Sequence, residues 1–215
     1  MPAAVLFDMD GTLFDSEKLW DIAINELVVD YGTTVPQETR MAMVGTSMAS
    51  SMVLLHDGIG QPWRDPVYSS EWIHARVAEL FVTSLVWRPG AQELLHEVRA
   101  YGVPTALVTA TERRLVKIAI QTAGEHNFDV LVCGDEVAHS KPHPEPYLQA
   151  ARLLGVKPED CVAIEDSPTG VASAAAAGAF VLAIPHHVPL QSGPRVTLRS
   201  TLEGVTLAGL RELYS

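Results

Sequence analysis

Five short runs in this chain are apolar at nearly every position: AVLF at 4–7, PTALV at 104–108, DVLVC at 129–133, CVAI at 161–164 and FVLAI at 180–184. A strand with one wet face alternates apolar and polar residues. A run without alternation predicts a strand buried on both faces, as in a parallel sheet covered by helices on each side. The segments between these runs read as helices. Ala91–Tyr101 follows Pro89 and stops at Gly102, Glu112–Ala123 stops at Gly124, Glu145–Leu154 follows Pro144 and stops at Gly155, and Pro168–Ala177 follows Ser167 and stops at Gly178. Proline in a first turn and glycine just past a last one are helix start and stop signals. Strand–helix alternation of this kind predicts an α/β fold, a doubly wound, parallel, Rossmann-like sheet.

The alternation breaks once. A long interval separates the strand at 4–7 from the one at 104–108, and most of it has helical periodicity: Ser16–Tyr31, Pro36–Val44, Met48–His56 and Ser69–Leu85. The pattern predicts a helical cap subdomain at 16–87 inserted into a core made of 1–15 and 88–215. A terminal helix is expected at Thr206–Tyr214.

Composition narrows the function. With 15 Lys+Arg against 26 Asp+Glu, the net charge of −11 gives the chain no overall field that attracts nucleic acid or an anionic membrane. A hydrophobic fraction of 47% with 19% charged residues suits a chain with a real core. Cys133 and Cys161 lie in apolar runs, outside any Cys-x-x-Cys pair, and are expected to be buried and free. The N-terminus lacks a basic leader, and the longest apolar stretch, Val171–Ile184, falls short of the ~20 residues of a membrane span. The expectation is a soluble, cytoplasmic protein, a monomer or weak dimer, with neither a nucleic acid nor a membrane as partner.

Four features at successive strand ends carry chemistry. Asp8 and Asp10 sit two apart just beyond the first strand, where alternate side chains of an extended chain share a side, and Gly11 permits a sharp turn. Two like charges there need a cation or a shared proton. Val108-Thr109-Ala110-Thr111 ends a second strand at a helix start, where a hydroxyl and backbone N–H groups can bind phosphate, although Thr111 reads locally as a plain N-cap. Ser140-Lys141-Pro142 offers a fixed positive charge between a turn and a helix start. Glu165 and Asp166 end a fourth strand, and hard carboxylate oxygens suit Mg²⁺. In combination these are the parts that phosphoryl transfer requires: nucleophile, acid/base, phosphate clamp and metal cradle.

On these motifs the chain resembles the haloacid dehalogenase-like superfamily, in the subclass with a helical cap after the first strand, and is similar to its β-phosphoglucomutase and phosphoglycolate phosphatase type members. FDMDGTLFDSE, VTAT, SKPHPEPY and IEDSPTGVASAAAAGA stand where that family has its four motifs, so the resemblance spans nearly the whole chain. It implies that Asp8 is a nucleophile forming an aspartyl-phosphate and that Asp10 is the acid, then the base. It implies Mg²⁺ held by the Asp8 carboxylate, the Asp10 carbonyl and the Asp166 carboxylate, with Glu165 as a further ligand or a base behind them. Thr109, the Ala110 N–H and Lys141 would hold the phosphoryl oxygens.

Within the family, Asp10 and Thr12 speak against dehalogenases, which lack the second acid. Lys18, near the hinge, is a poor fit to the cap lysine of phosphonate-cleaving members. Mutases of the β-phosphoglucomutase type carry a His where this chain has Trp20 and an Arg near Met48, and this chain has neither. The resemblance therefore implies a phosphatase acting on a small phosphorylated metabolite, a sugar or sugar-alcohol phosphate. A sugar-phosphate mutase is the first alternative and a non-catalytic phospholigand-binding protein the second. Trp20, Thr46, Ser47 and Met48 are the candidates for substrate selection. Arg113 is expected to be a surface arginine. His139, His143, His186 and His187 are not expected to hold a transition metal, because His139 and His143 share no predicted helix and Pro142 lies between them.

Overall fold

The structure is a computed structural model that describes residues 1–215 except 44, 45, 47, 187 and 215. The chain divides into two compact units, Met1–Asp15 with Val86–Ser215, and Ser16–Leu85. Val86 and Trp87, expected in the insert, belong to the first unit. The Asp15 N–H donates to the Val86 carbonyl at 3.0 Å and the Arg88 N–H to the Leu13 carbonyl at 2.8 Å. Phe14 pairs with Trp87 across a β-bridge, their rings 4.7 Å apart.

The first unit opens with β1 (Ala4–Phe7). The second unit supplies α1 (Glu17–Asp30), α2 (Gln37–Met43), α3 (Met48–Gly58) and α4 (Pro66–Ser84). The first then resumes with α5 (Ala91–Ala100), β2 (Thr105–Val108), α6 (Arg113–Ala123), β3 (Val130–Val132), α7 (Glu145–Leu154), β4 (Cys161–Glu165), α8 (Pro168–Ala176), β5 (Phe180–Ala183), β6 (Val196–Leu198) and α9 (Leu207–Arg211). Among the described residues the strands form one sheet of order β3-β2-β1-β4-β5-β6, with every pairing parallel.

This order explains the continuous apolar runs. β1, β2 and β4 are buried at every position. Ala4, Leu6, Ala106, Val108, Cys161 and Ala163 share a core cluster with Tyr147, Ala150 and Ala151 of α7 and Ala174 of α8. Alanines on both partners let helix and sheet approach closely. Cys133 and Cys161 are buried and free. β6 was not foreseen: it is three residues long, at the sheet edge, and largely exposed, so no apolar run marks it.

In the second unit, α1 packs on α4, α3 on α4 and α2 on α3. The α4 helix starts three residues before its predicted start at Ser69, because the Asp65 carboxylate accepts from the Val67 N–H at 2.9 Å and Pro66 follows it. Its interior holds a polar cluster. The Ser69 hydroxyl lies 2.7 Å from the Tyr31 phenol and 2.9 Å from His56 Nε2. Burial, aided by the Arg64 charge, holds the His56 pKa below its ordinary value. No described helix is long and apolar enough to cross a membrane.

Candidate active site

In a sheet of this order the strand connections reverse direction between β1 and its neighbour β4, and a crevice opens beyond the carboxyl ends of these strands. The chain places its acids there. Asp8 follows β1 and donates its backbone N–H to the Ile164 carbonyl at 3.0 Å, which extends the β1–β4 ladder by one step. Asp166 follows β4. Gly11, at φ 80°, turns the chain back over it, and a Cβ at Gly11 would lie 2.1 Å from Asp166 Oδ2. Only glycine fits at this position.

Lys141 reaches in from the loop after β3. Its ammonium donates to Asp8 Oδ1 at 2.7 Å, Glu165 Oε1 at 2.6 Å and the Val108 carbonyl at 2.9 Å. These three bonds use its three donors. The side chain is only 6% exposed. Burial alone would lower its pKa, but the Asp8 and Glu165 charges outweigh that and hold it above its ordinary value. Behind it, the Tyr147 phenol donates to the same Glu165 Oε1 at 2.6 Å, and the Ser167 hydroxyl reaches Glu165 Oε2 at 3.3 Å. Glu165 is fully buried, and it fits only because Gly170 has no side chain: a Cβ there would lie 1.9 Å from Glu165 Oε2.

Asp10 is held from β2. The Thr111 hydroxyl donates to Asp10 Oδ2 at 2.7 Å and the Thr109 hydroxyl donates at 3.3 Å. Thr109 Oγ1 in turn accepts from the Thr111 N–H at 3.1 Å. Thr111 is therefore not the N-cap of α6. That position falls on Glu112, and the Thr111 hydroxyl is spent on Asp10 instead. Ala110 is exposed at the tip of this loop, and its carbonyl would meet a Cβ on Gly134 at 1.9 Å.

The electrostatics call for a cation. Asp8, Glu165 and Asp166 each offer an oxygen within 4.8 Å of the others. Burial, with the Glu165 and Asp10 charges adding to it and Lys141 opposing, pushes Asp8 up to about 8. One ammonium does not offset this many carboxylates, and their oxygens are hard donors, so the site fits a Mg²⁺ ion. Glu165 fits that role least, since Lys141, Tyr147 and Ser167 engage its oxygens.

Sequence reasoning missed Tyr147 and the role of Thr111. An aromatic with a polar tip on a helix otherwise buried against the sheet was the available signal for Tyr147, because a buried phenol needs a partner. Of the other candidates, Trp20, Thr46 and Met48 lie in the second unit. Trp20 meets His74 and Phe81 edge to face, at 5.9 and 6.3 Å. Thr46 Oγ1 donates to the Met43 carbonyl at 2.9 Å and lies 2.6 Å from Ser51 Oγ, and Met48 opens α3. Ser47 and His187 lie outside the described residues. Arg113 is tied to Glu136 and to the Leu131 carbonyl.

A doubly wound α/β fold with paired acids and a buried lysine at its strand ends defines an enzyme of the hydrolase or transferase kind. Residues 2–178 match the family model of the haloacid dehalogenase-like hydrolases, and the chain belongs to that family. It is 31% identical over 213 residues to hexitol phosphatase B of Escherichia coli (strain K12), covering 98% of this chain and 93% of that protein. It is 33% identical over 191 residues to a probable pseudouridine-5'-phosphatase of Drosophila melanogaster, covering 84% and 80%. The crystal structure of CbbY from Rhodobacter sphaeroides in complex with phosphate superposes with a TM-score of 0.87 at 29% identity, covering 98% of this chain and 100% of that one.

Proposed function

We propose that this hydrolase is a Mg²⁺-dependent phosphatase of small phosphorylated carbohydrates, sugar or sugar-alcohol phosphates, and that Asp8 is its nucleophile. The observation that carries this reading is the convergence of Asp8, Asp10, Lys141 and Asp166 at one sheet edge. The names of the relatives agree with it: one is a hexitol phosphatase. A binding protein that only held a phosphoryl group has no use for a nucleophile and an acid side by side.

The Asp8 carboxylate attacks phosphorus in line with the leaving alcohol and becomes an acyl phosphate. Asp10, oriented by Thr109 and Thr111, protonates the departing oxygen and then takes a proton from the water that cleaves the acyl phosphate. When a phosphoryl group binds, Lys141 exchanges its bond to Asp8, and the Thr109 hydroxyl its long bond to Asp10, for phosphoryl oxygens, which the Ala110 N–H also meets. Glu165 and Tyr147 position Lys141 from behind, so that its charge need not reorganise during reaction. The Asp8 and Asp166 carboxylates and the Asp10 carbonyl would hold Mg²⁺. When bound, that ion neutralises the charge that otherwise keeps a carboxylate from an anionic phosphate. Selection among sugars is assigned to the cap, with Trp20, Thr46, Ser47 and Met48 as the residues to vary first.

The test is a panel of hexose, pentose and hexitol phosphates assayed for free phosphate with Mg²⁺. Release that requires Mg²⁺ and disappears in Asp8→Asn is expected. Interconversion of a hexose 1-phosphate to its 6-phosphate without free phosphate would replace the phosphatase reading with that of a mutase.

A further inference from the structure

The loop that turns Lys141 inward presents two imidazoles and a carboxylate outward. From Ala138 to Glu145 the chain folds back on itself, and the His143 N–H donates to the Ser140 carbonyl at 3.0 Å. This turn does what a common helix would have done. It brings His139 and His143 together with their rings 4.6 Å apart and tilted by 34°. Glu145, in the first turn of α7, completes the group. Its Oε2 lies 2.8 Å from His139 Nδ1 and 3.9 Å from His143 Nδ1. The three residues each offer a ligand atom within 4.8 Å of the others. Lys141, between the two histidines in sequence, is 6% exposed, while His139 and His143 are 65% and 50% exposed.

Glu145 is fixed before any ligand arrives. Its Oε1 accepts from the Ala138 N–H at 2.8 Å and its Oε2 from the His139 N–H at 3.0 Å. A carboxylate has about four acceptor positions, so these bonds orient it without exhausting it. His143 Nδ1, the atom 3.9 Å from Glu145 Oε2, accepts from the Glu145 N–H at 3.2 Å, a long bond that its lone pair exchanges for an ion. Two imidazoles and one carboxylate make a borderline donor set. It suits Zn²⁺, Ni²⁺ or Cu²⁺ and contrasts with the all-oxygen set at Asp8 and Asp166, which suits Mg²⁺.

We propose that His139, His143 and Glu145 form a divalent transition-metal site on the outer side of the loop that carries Lys141, separate from the carboxylate cradle of the active site. The ion replaces the proton between His139 Nδ1 and Glu145 Oε2, which moves to Nε2 of the same ring. Three protein atoms leave the remaining coordination to water, as in an open site. Occupancy ties residue 139 to residues 143 and 145, and so restrains the turn in which Lys141 sits.

The experiment is a calorimetric titration of Zn²⁺ into full-length protein stripped with a chelator and then saturated with Mg²⁺. One Zn²⁺ per chain is expected, with affinity reduced about tenfold or more in His139→Ala and in His143→Ala, and unchanged in Asp166→Asn. Histidine ring resonances of residues 139 and 143 shift on Zn²⁺ addition in the unmodified protein. His139→Ala keeps the far-UV circular dichroism and cooperative urea unfolding of the unmodified protein, which shows that it folds. The proposal fails if Zn²⁺ does not bind in the presence of Mg²⁺, or if both histidine variants bind it as tightly as the unmodified protein. It also fails if Asp166→Asn abolishes binding, which would place the ion in the active site. None of these outcomes bears on the phosphatase reading.

Discussion

Each unit of the molecule buries a polar cluster, and the two clusters are built on opposite principles. In the second unit, Tyr31, His56 and Ser69 satisfy one another, and the histidine is held toward its neutral form. Buried polar groups with all their partners cost little and specify a single packing. In the core, Asp8, Glu165 and Asp166 are buried within reach of one another, and Lys141 offsets only part of their charge. Such a cluster weakens the fold that holds it. A neutral, closed network is what stability alone selects. An excess of buried like charge marks a candidate site of chemistry, and here it stands at the strand ends, where open α/β sheets bind ligands.

Substitutions separate the two principles. The largest effect is expected from Asp8→Asn, which removes the proposed nucleophile and should lower turnover by about 10⁴-fold or more. The same change relieves the charge crowding, so thermal unfolding without metal should show a variant at least as stable as the unmodified protein. Lys141→Met should cost about 10²–10³-fold in kcat. It also strands two buried carboxylates and should destabilise the metal-free protein by about 3–5 kcal/mol, measured by urea unfolding. Tyr147→Phe keeps the packing and removes one hydrogen bond to Glu165. The expected loss is about tenfold in kcat with KM little changed, and about 1–2 kcal/mol of stability. In the second unit, Ser69→Ala leaves the Tyr31 phenol and His56 Nε2 without their shared partner. It should cost about 1–3 kcal/mol and leave kcat at saturating substrate within about twofold. A Ser69→Ala protein that stayed folded yet lost turnover would break the division of labour.

The charge crowding also has a pH signature. With Asp8 pushed up to about 8, the folded metal-free protein keeps a proton that the unfolded chain has lost. Its stability therefore falls as pH rises from the ordinary carboxylate range toward 8 and flattens above it. Mg²⁺ competes with that same proton, so its affinity should climb with pH up to about 8 and then level, which calorimetry at a series of pH values checks. Asp8→Asn should remove both trends.

The sheet was legible in the sequence because every central strand is an unbroken apolar run punctuated by proline and glycine. β6 was not, because an exposed three-residue edge strand needs no such run. The candidate acids were legible because they cluster at the ends of two apolar strands, β1 and β4. What holds them in place was not. Tyr147 reaches Glu165 across 18 positions and Thr111 reaches Asp10 across 101, contacts that only the folded chain creates. The same applies to the turn that joins His139 to His143, which no helical periodicity announces.

The central claim, that Asp8 carries the phosphoryl group, has a direct measurement. Enzyme caught in turnover with its best substrate is acid-quenched, reduced with borohydride and mapped by mass spectrometry. An acyl phosphate on Asp8 is reduced to the alcohol, homoserine, and the account predicts that product at position 8 alone, dependent on both substrate and Mg²⁺. Reduction at another carboxylate, or continued turnover by Asp8→Asn, would contradict it.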